Sequence, residues 1–264
     1  MASAAQSATL PLFYKDLTPV NVRDHGTWRS RTTDKASWLA AQHVVPLTVE
    51  EFAEAQRHYP IIFSVGDDPV PLALMGLNDG VNVFVEADGS LAEAVYIPAY
   101  VRRYPFMLAR ISPESSDLSL CFDATTDLVG DFADGSLLFD GNAPSEACRS
   151  TLQFCEQFEM AGQKTGAFMA ELVKHGLLMD GELTVQPGGE SPPFVYRGFQ
   201  MIDETKFRDL DAEVLREWSR NGALPLIIAH LFSLNLMSKV FDRQHPVSPA
   251  GALAPRPRGR SAAR

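Results

Sequence analysis

The chain has 264 residues, of which 33 are acidic and 23 basic, giving a net charge of −10 and a pI near 5.1. A general nucleic-acid binder needs a basic face to neutralise phosphates, so this balance argues against that class. The 45% hydrophobic content is ordinary for a globular protein and supplies a sizeable core, and the length suits one large domain or two small ones.

In chain order, residues 1–10 read as a flexible start. Residues 1–12 lack the basic opening and long apolar core of a secretory signal. A short strand or turn is expected at 13–17. The polar stretch 21–35 follows as a surface loop, with Trp28 and Trp38 as anchors. Thr48-Val-Glu-Glu51 is a capping box, in which a hydroxyl and a carboxylate satisfy the free amides of a helix start. A helix should run from it to about His58, with Phe52 and Ala55 inward. Residues 59–65, 70–77 and 81–86 then read as strands, with Asn78-Asp79-Gly80 as a turn. Asp88-Gly89 favours a hairpin into a strand at 92–97. Strands at 104–111, 118–122 and 136–139 continue the pattern.

The period then changes. Pro144-Ser145 opens a long helix to about His175, because Leu152, Cys155, Phe158, Phe168, Met169 and Leu172 recur near 3.6 residues. Gly176 stops it. Gly162 and Gly166 either admit a close neighbour or weaken its middle. Strands at 182–186 and 194–202 flank a Pro/Gly-rich loop, and Asp203 and Asp211 read as helix caps. Asn221-Gly222 ends one helix, and Pro225 suits the first turn of a last one reaching about Phe241. The apolar run inside that helix is about fourteen residues, short of the roughly 18–20 that a membrane span needs. No transmembrane segment is expected and the default compartment is the cytoplasm. Residues 242–264 carry Arg243, Arg256, Arg258, Arg260 and Arg264 against Asp242 alone and read as a disordered basic tail.

Residues 96–106 are chemically the densest stretch, with Tyr96, Tyr100 and Tyr104, Arg102 and Arg103, and Pro98 and Pro105. The prolines interrupt any long strand, so the expectation is a turn or short helix over 98–103 between two strands. Adjacent arginines cannot face the same way. One should pair with a carboxylate of the fold while the other faces a cleft, where its fixed fork of donors suits carboxylate or phosphate. Tyr96, Tyr100, Arg102, Arg103 and Tyr104 are therefore the candidate ligand-binding residues, with an internal arginine–carboxylate bridge under a tyrosine-lined corner as the alternative. On the binding reading, Arg102→Ala and Arg103→Ala should both leave the fold intact.

Other chemistry is sparse. Cys121, Cys148 and Cys155 form no CxxC pair and read as buried small hydrophobes. The six histidines show no HxH or HExxH spacing, and His230 reads as a core histidine. Asp123, Asp127, Asp131 and Asp134 could share one helix face and hold a cation, but a solvated acidic loop is simpler. No metal or cofactor is expected.

Tyr59-Pro60-Ile-Ile-Phe63, residues 70–77, Asn82-Val-Phe84, residues 96–106, Leu138-Phe139, Gly141, His175-Gly-Leu-Leu178, Gly198-Phe199, Ile202-Asp203-Glu204 and Ala229-His230 together resemble the SapC family of bacterial proteins, over about residues 10–241. The resemblance implies an association with TonB-dependent receptors, halogenase-like flavoproteins and cupin-like proteins, hence with nutrient uptake or small-molecule modification. It supplies no catalytic residues. The resulting expectation is a single α+β domain over 11–241, with an antiparallel-rich first half and a helical second half packed on it. Its role is a non-enzymatic accessory that binds a small molecule or a protein partner. The alternatives are an enzyme acting on a small molecule or peptide side chain, and a component related to a surface layer.

Overall fold

The protein was analysed as a computed structural model, which describes residues 10–92, 95–111, 117–185 and 193–245. The expected flexible start, the arginines of the tail beyond Arg243 and nearly all of the Pro/Gly-rich loop lie outside these residues. The architecture is α+β, with antiparallel sheets concentrated in the first half and helices in the second.

The largest sheet has five strands, ordered Leu178–Val185, Phe194–Ile202, Ile61–Phe63, Pro71–Leu74 and Val44–Pro46, with every neighbouring pair antiparallel. Its two longest strands come from the second half of the chain and complete a sheet begun in the first. A three-stranded sheet joins Leu17–Pro19, Leu118–Asp123 and Phe106–Arg110. Short paired segments at Arg29–Ser30, Val129–Gly130 and Ser136–Leu137 lie beyond it.

One helix, Glu146–Lys174, connects two apolar cores. Its first turns put Cys148 and Cys155 into a cluster with Phe106, Leu108, Leu120 and Phe122. Its last turns put Phe168, Met169 and Leu172 into a larger cluster with Phe52, Tyr59, Phe63 and Trp218. The expected boundaries hold because the local chemistry is complete at both ends. Ser145 Oγ accepts from Cys148 N at 3.1 Å. Gly176 takes a left-handed φ of 63°, and Leu177 N returns to Leu172 O at 3.0 Å. Gly162 and Gly166 face open space, so neither admits a close neighbour. All three cysteines are buried and unpaired.

Several expectations are corrected. Residues 81–86, and the described residues of 92–97, do not form strands. Asn82 replaces the ladder: its amide donates to Leu39 O and Gln42 O, and its Oδ1 accepts from Phe84 N at 2.9 Å. A Cβ at Gly76 would collide with the Val81 carbonyl, so this folded-back segment lies directly on the end of a strand. The Asp88-Gly89 turn forms, with Gly89 at φ 85°, but it closes only an isolated Val85–Leu91 bridge. The polar stretch 21–35 is not simply a surface loop, because it holds the helix Val22–His25 with His25 buried. Asp203 caps its helix by accepting from Thr205 N and Lys206 N, whereas Asp211 makes no capping hydrogen bond.

The acidic quartet shares no helix. Asp123 is buried and accepts from Lys15 N, Asp16 N and Thr125, which hold its carboxyl below the usual range against the opposing effect of burial. Asp134 pairs with Arg31. Among the described residues, no group of three or more His, Cys, Asp or Glu is arranged to hold a metal ion.

The C-terminal helix is longer than expected. It runs from Ala223–Ser233 through one 3-10 turn into Met237–Gln244, past the predicted start of the tail, because Gln244 Oε1 accepts from Leu77 N at 2.8 Å. Over its 22 residues, Ala223–Gln244, it is long and apolar enough to cross a membrane by length and composition alone, a weak criterion that core helices also meet. Its inner face belongs to the core: Ser233 Oγ accepts from Ile61 N at 2.8 Å.

On the same face, His230 is fully buried and stacks on Phe63 at 4.6 Å, and its Nε2 accepts from Ile202 N at 3.1 Å. Burial lowers its pKa to about 4 from 6.5. The unfolded chain therefore binds the proton first on acidification. The stabilising contribution is complete above pH 6.5 and is lost as pH falls toward 4, costing about 2 kcal/mol by pH 5. Urea unfolding at pH 7, 6 and 5 should show this decline, and His230→Gln should flatten it.

Candidate functional site

The candidate segment is positioned by a carboxylate distant in sequence. Glu51 is buried at the start of the helix it caps, and its Oε2 accepts from Thr48 N and Thr48 Oγ1, both at 2.9 Å. The other oxygen, Oε1, leaves that helix and accepts from Ala99 N at 2.6 Å and Tyr96 Oη at 3.0 Å. One side chain thus closes the capping box and fixes the start of the short helix Ala99–Arg102. Tyr59 Oη donates to the Tyr96 carbonyl as a second tether.

Successive helical residues diverge by about 100°, which separates the two arginines. Arg103 points inward, with its side chain 5% exposed. Its guanidinium lies 4.4 Å from the Tyr100 ring and 4.2 Å from the Phe158 ring, and Nη1 meets Glu159 Oε1 at 3.5 Å. Arg102 points outward. Its Nε donates to Ile97 O at 3.1 Å and its Nη2 to Tyr96 Oη at 3.3 Å, and its Cζ lies 5.2 Å over Phe154. Among the described residues, no carboxylate lies within ion-pair distance of Arg102. An arginine has five N–H donors, and three of these make no hydrogen bond among the described residues. Tyr96 relays the placement: it accepts from Arg102 and donates to Glu51. Burial, followed by the Glu51 charge, raises its pKa to about 12, so it stays a neutral donor.

Arg102 stands in the wall of a cleft of about 470 Å³. One side is the short 3-10 turn Ser37–Leu39 carrying Trp38, preceded by a polar rim from Ser30 to Lys35. Opposite are Ser150, Thr151 and Phe154 from the first turns of the long helix. Tyr104, Pro105 and Phe106 carry the wall from the short helix into the smaller sheet. The rings of Trp38 and Tyr104 lie 4.7 Å apart at 36°, and Tyr104 Oη donates to Asp123 at 3.3 Å. Burial keeps the Tyr100 and Tyr104 phenols above their usual pKa.

Two buried donors on residues lining this cleft, Trp38 Nε1 and Arg103 Nε, have no hydrogen-bond partner among the described residues. The other cations of the wall are already paired: Arg31 with Asp134, Lys35 with Asp88 at 3.3 Å, and Arg103 with Glu159.

Of the five candidate residues, Arg102, Arg103 and Tyr104 line the cleft. Tyr96 stands behind Arg102 as its acceptor. Tyr100 is buried, with its hydroxyl donating to Leu12 O at 3.1 Å. Both readings of the arginine pair therefore apply, one to each residue: Arg103 is the internal bridge and Arg102 the outward fork. The two alanine variants are therefore expected to differ, with Arg103→Ala the one that costs stability. Trp38, expected only as an anchor, and Phe154, which no local pattern singles out, also line the cleft.

A family model described as SapC matches residues 20–240. The chain belongs to the SapC family. The matched span contains the whole cleft, Glu51 and the long helix of this SapC-family chain. No curated protein and no solved structure matches it.

Proposed function

We propose that this SapC-family chain is a non-enzymatic small-ligand-binding protein whose site is the cleft over Arg102. The observation that carries the reading is the guanidinium itself, held by Ile97 O and Tyr96 Oη in a cleft wall, with three donors unused and no carboxylate within ion-pair distance among the described residues. Holding a cation in one geometry costs side-chain entropy. A buried Glu51–Tyr96 relay behind a surface arginine is more organisation than an idle surface charge requires. The volume falls in the range of small-molecule sites, roughly 300–1,000 Å³. In this reading the protein works in the cytoplasm as an accessory to an uptake or modification system, the role implied by its resemblance to relatives that accompany TonB-dependent receptors, halogenase-like flavoproteins and cupin-like proteins.

Native mass spectrometry, with metal analysis of the same sample, tests it. Purified wild-type protein is expected to retain a non-covalent small molecule, and Arg102→Ala to lose it. The variant should unfold within about 0.5 kcal/mol of wild type, as surface substitutions do. A molecule retained equally by both proteins would place the site elsewhere. A stoichiometric metal would turn the reading toward an enzyme.

A further inference from the structure

We infer that the cleft takes a flat organic monocarboxylate, an acid whose carboxylate meets Arg102 and whose ring lies against Trp38 and Phe154. This deepens the ligand-binding reading and rests on it.

Three observations converge. The first is the sign and number of the charges. Arg31, Lys35 and Arg103 each have a carboxylate of their own, so Arg102 is the one cation of the described wall without a partner. Asp34 also lines the wall. A single uncompensated guanidinium beside an aspartate matches one negative charge and disfavours a polyanion such as a diphosphate.

The second is the type of unsatisfied group. Trp38 Nε1 and Arg103 Nε are buried without partners on residues lining the cleft, and both can only donate. Buried polar groups are normally paired, so unpaired donors call for an explanation, and on residues that line a cleft an occupant that supplies acceptors is one. The occupant complementary to Arg102, Trp38 and Arg103 supplies acceptors, and the planar arginine fork matches a carboxylate through two parallel hydrogen bonds.

The third is shape. Trp38 and Tyr104 present neighbouring rings at 36°, and Phe154 faces Arg102 at 5.2 Å. Leu91, Ile97, Val101 and Leu128 make much of the rest apolar. A ring fills such a surface, whereas a small hydrated oxyanion leaves it wet.

The probes are 2-naphthoate, its neutral amide 2-naphthamide, and inorganic phosphate, titrated calorimetrically into the full chain and into Arg102→Gln and Trp38→Phe. The naphthoate is expected to bind at least about tenfold tighter than the amide. Arg102→Gln should abolish that preference. Trp38→Phe, which keeps a ring but removes the donor, should weaken the naphthoate about fivefold or more, with unfolding midpoints checking that both variants are folded. Equal binding of acid and amide would overturn the carboxylate assignment and leave the cleft as a site. Phosphate competing with naphthoate would overturn the flat-acid class in favour of a simple oxyanion. If none of the probes binds while the purified protein still carries a molecule that Arg102→Ala releases, the class is wrong and the ligand reading stands. If none binds and nothing is carried, both fail.

Discussion

Glu51→Ala is expected to destabilise the protein by about 3–5 kcal/mol. The carboxylate accepts four hydrogen bonds in a buried setting: two from Thr48, one from Ala99 N and one from Tyr96 Oη. Removing it strands donors from two distant stretches of chain. Each buried group left unsatisfied costs roughly 1–3 kcal/mol, and because the four share one anchor their costs do not simply add. The loss should appear in urea unfolding as a lower midpoint. Glu51→Gln keeps one carbonyl oxygen and should lose about 1–3 kcal/mol on the same scale. Since the same residue orients Tyr96 behind Arg102, ligand retention should fall even in Glu51→Gln. A loss below 1 kcal/mol in Glu51→Ala would mean that the segment is held mainly by the Tyr59 tether and apolar packing.

Arg103→Ala should cost about 3 kcal/mol, and Arg103→Met should stay within about 1 kcal/mol of wild type. The distinction follows from what surrounds the side chain. Its guanidinium fills the space between Tyr100 and Phe158, with Tyr14 at 5.8 Å, so truncation opens a hole beneath three rings. Its only carboxylate partner in the structure, Glu159, is 40% exposed, so water can take over when the arginine goes. A methionine restores most of the volume without needing a partner. Thermal unfolding of the two variants measures the difference. Equal damage from both substitutions would show that the ion pair, more than the packing, holds this corner.

The parts of this fold legible in the sequence are those whose determinants are local. Thr48 and Glu51 announce a capping box, and Ser145 with Gly176 bracket a helix whose apolar residues keep one period. The divergence of Arg102 and Arg103 follows from adjacency alone, and so does the expectation that one would be buried and one free. What local pattern does not contain is where Glu51 spends its second oxygen, since Ala99 and Tyr96 lie far along the chain. The strand expected at 81–86 fails for a related reason: Asn82 bonds to carbonyls of 39 and 42, and that distant contact outweighs the β propensity of Val81, Val83 and Phe84. The cleft was the least legible feature. It assembles a polar rim, a lone tryptophan, a short helix and one face of a long helix, and no spacing links them. Arg102, Arg103 and Tyr104 stand together in the sequence, whereas Trp38 and Phe154 reach the same cleft from other elements.

The most direct test of a ligand cleft at this place uses its own reporter. The chain has three tryptophans, so its indole N–H region should hold three signals. Trp28 and Trp218 do not line the cleft, whereas Trp38 lines it with an Nε1 that has no partner among the described residues. Two-dimensional NMR during titration with 2-naphthoate is expected to move one indole signal, absent from Trp38→Phe and moving in Arg102→Gln only at about tenfold higher naphthoate, while the other two stay fixed. A titration that leaves the Trp38 signal in place, or that moves the Trp28 or Trp218 signal instead, would contradict the account.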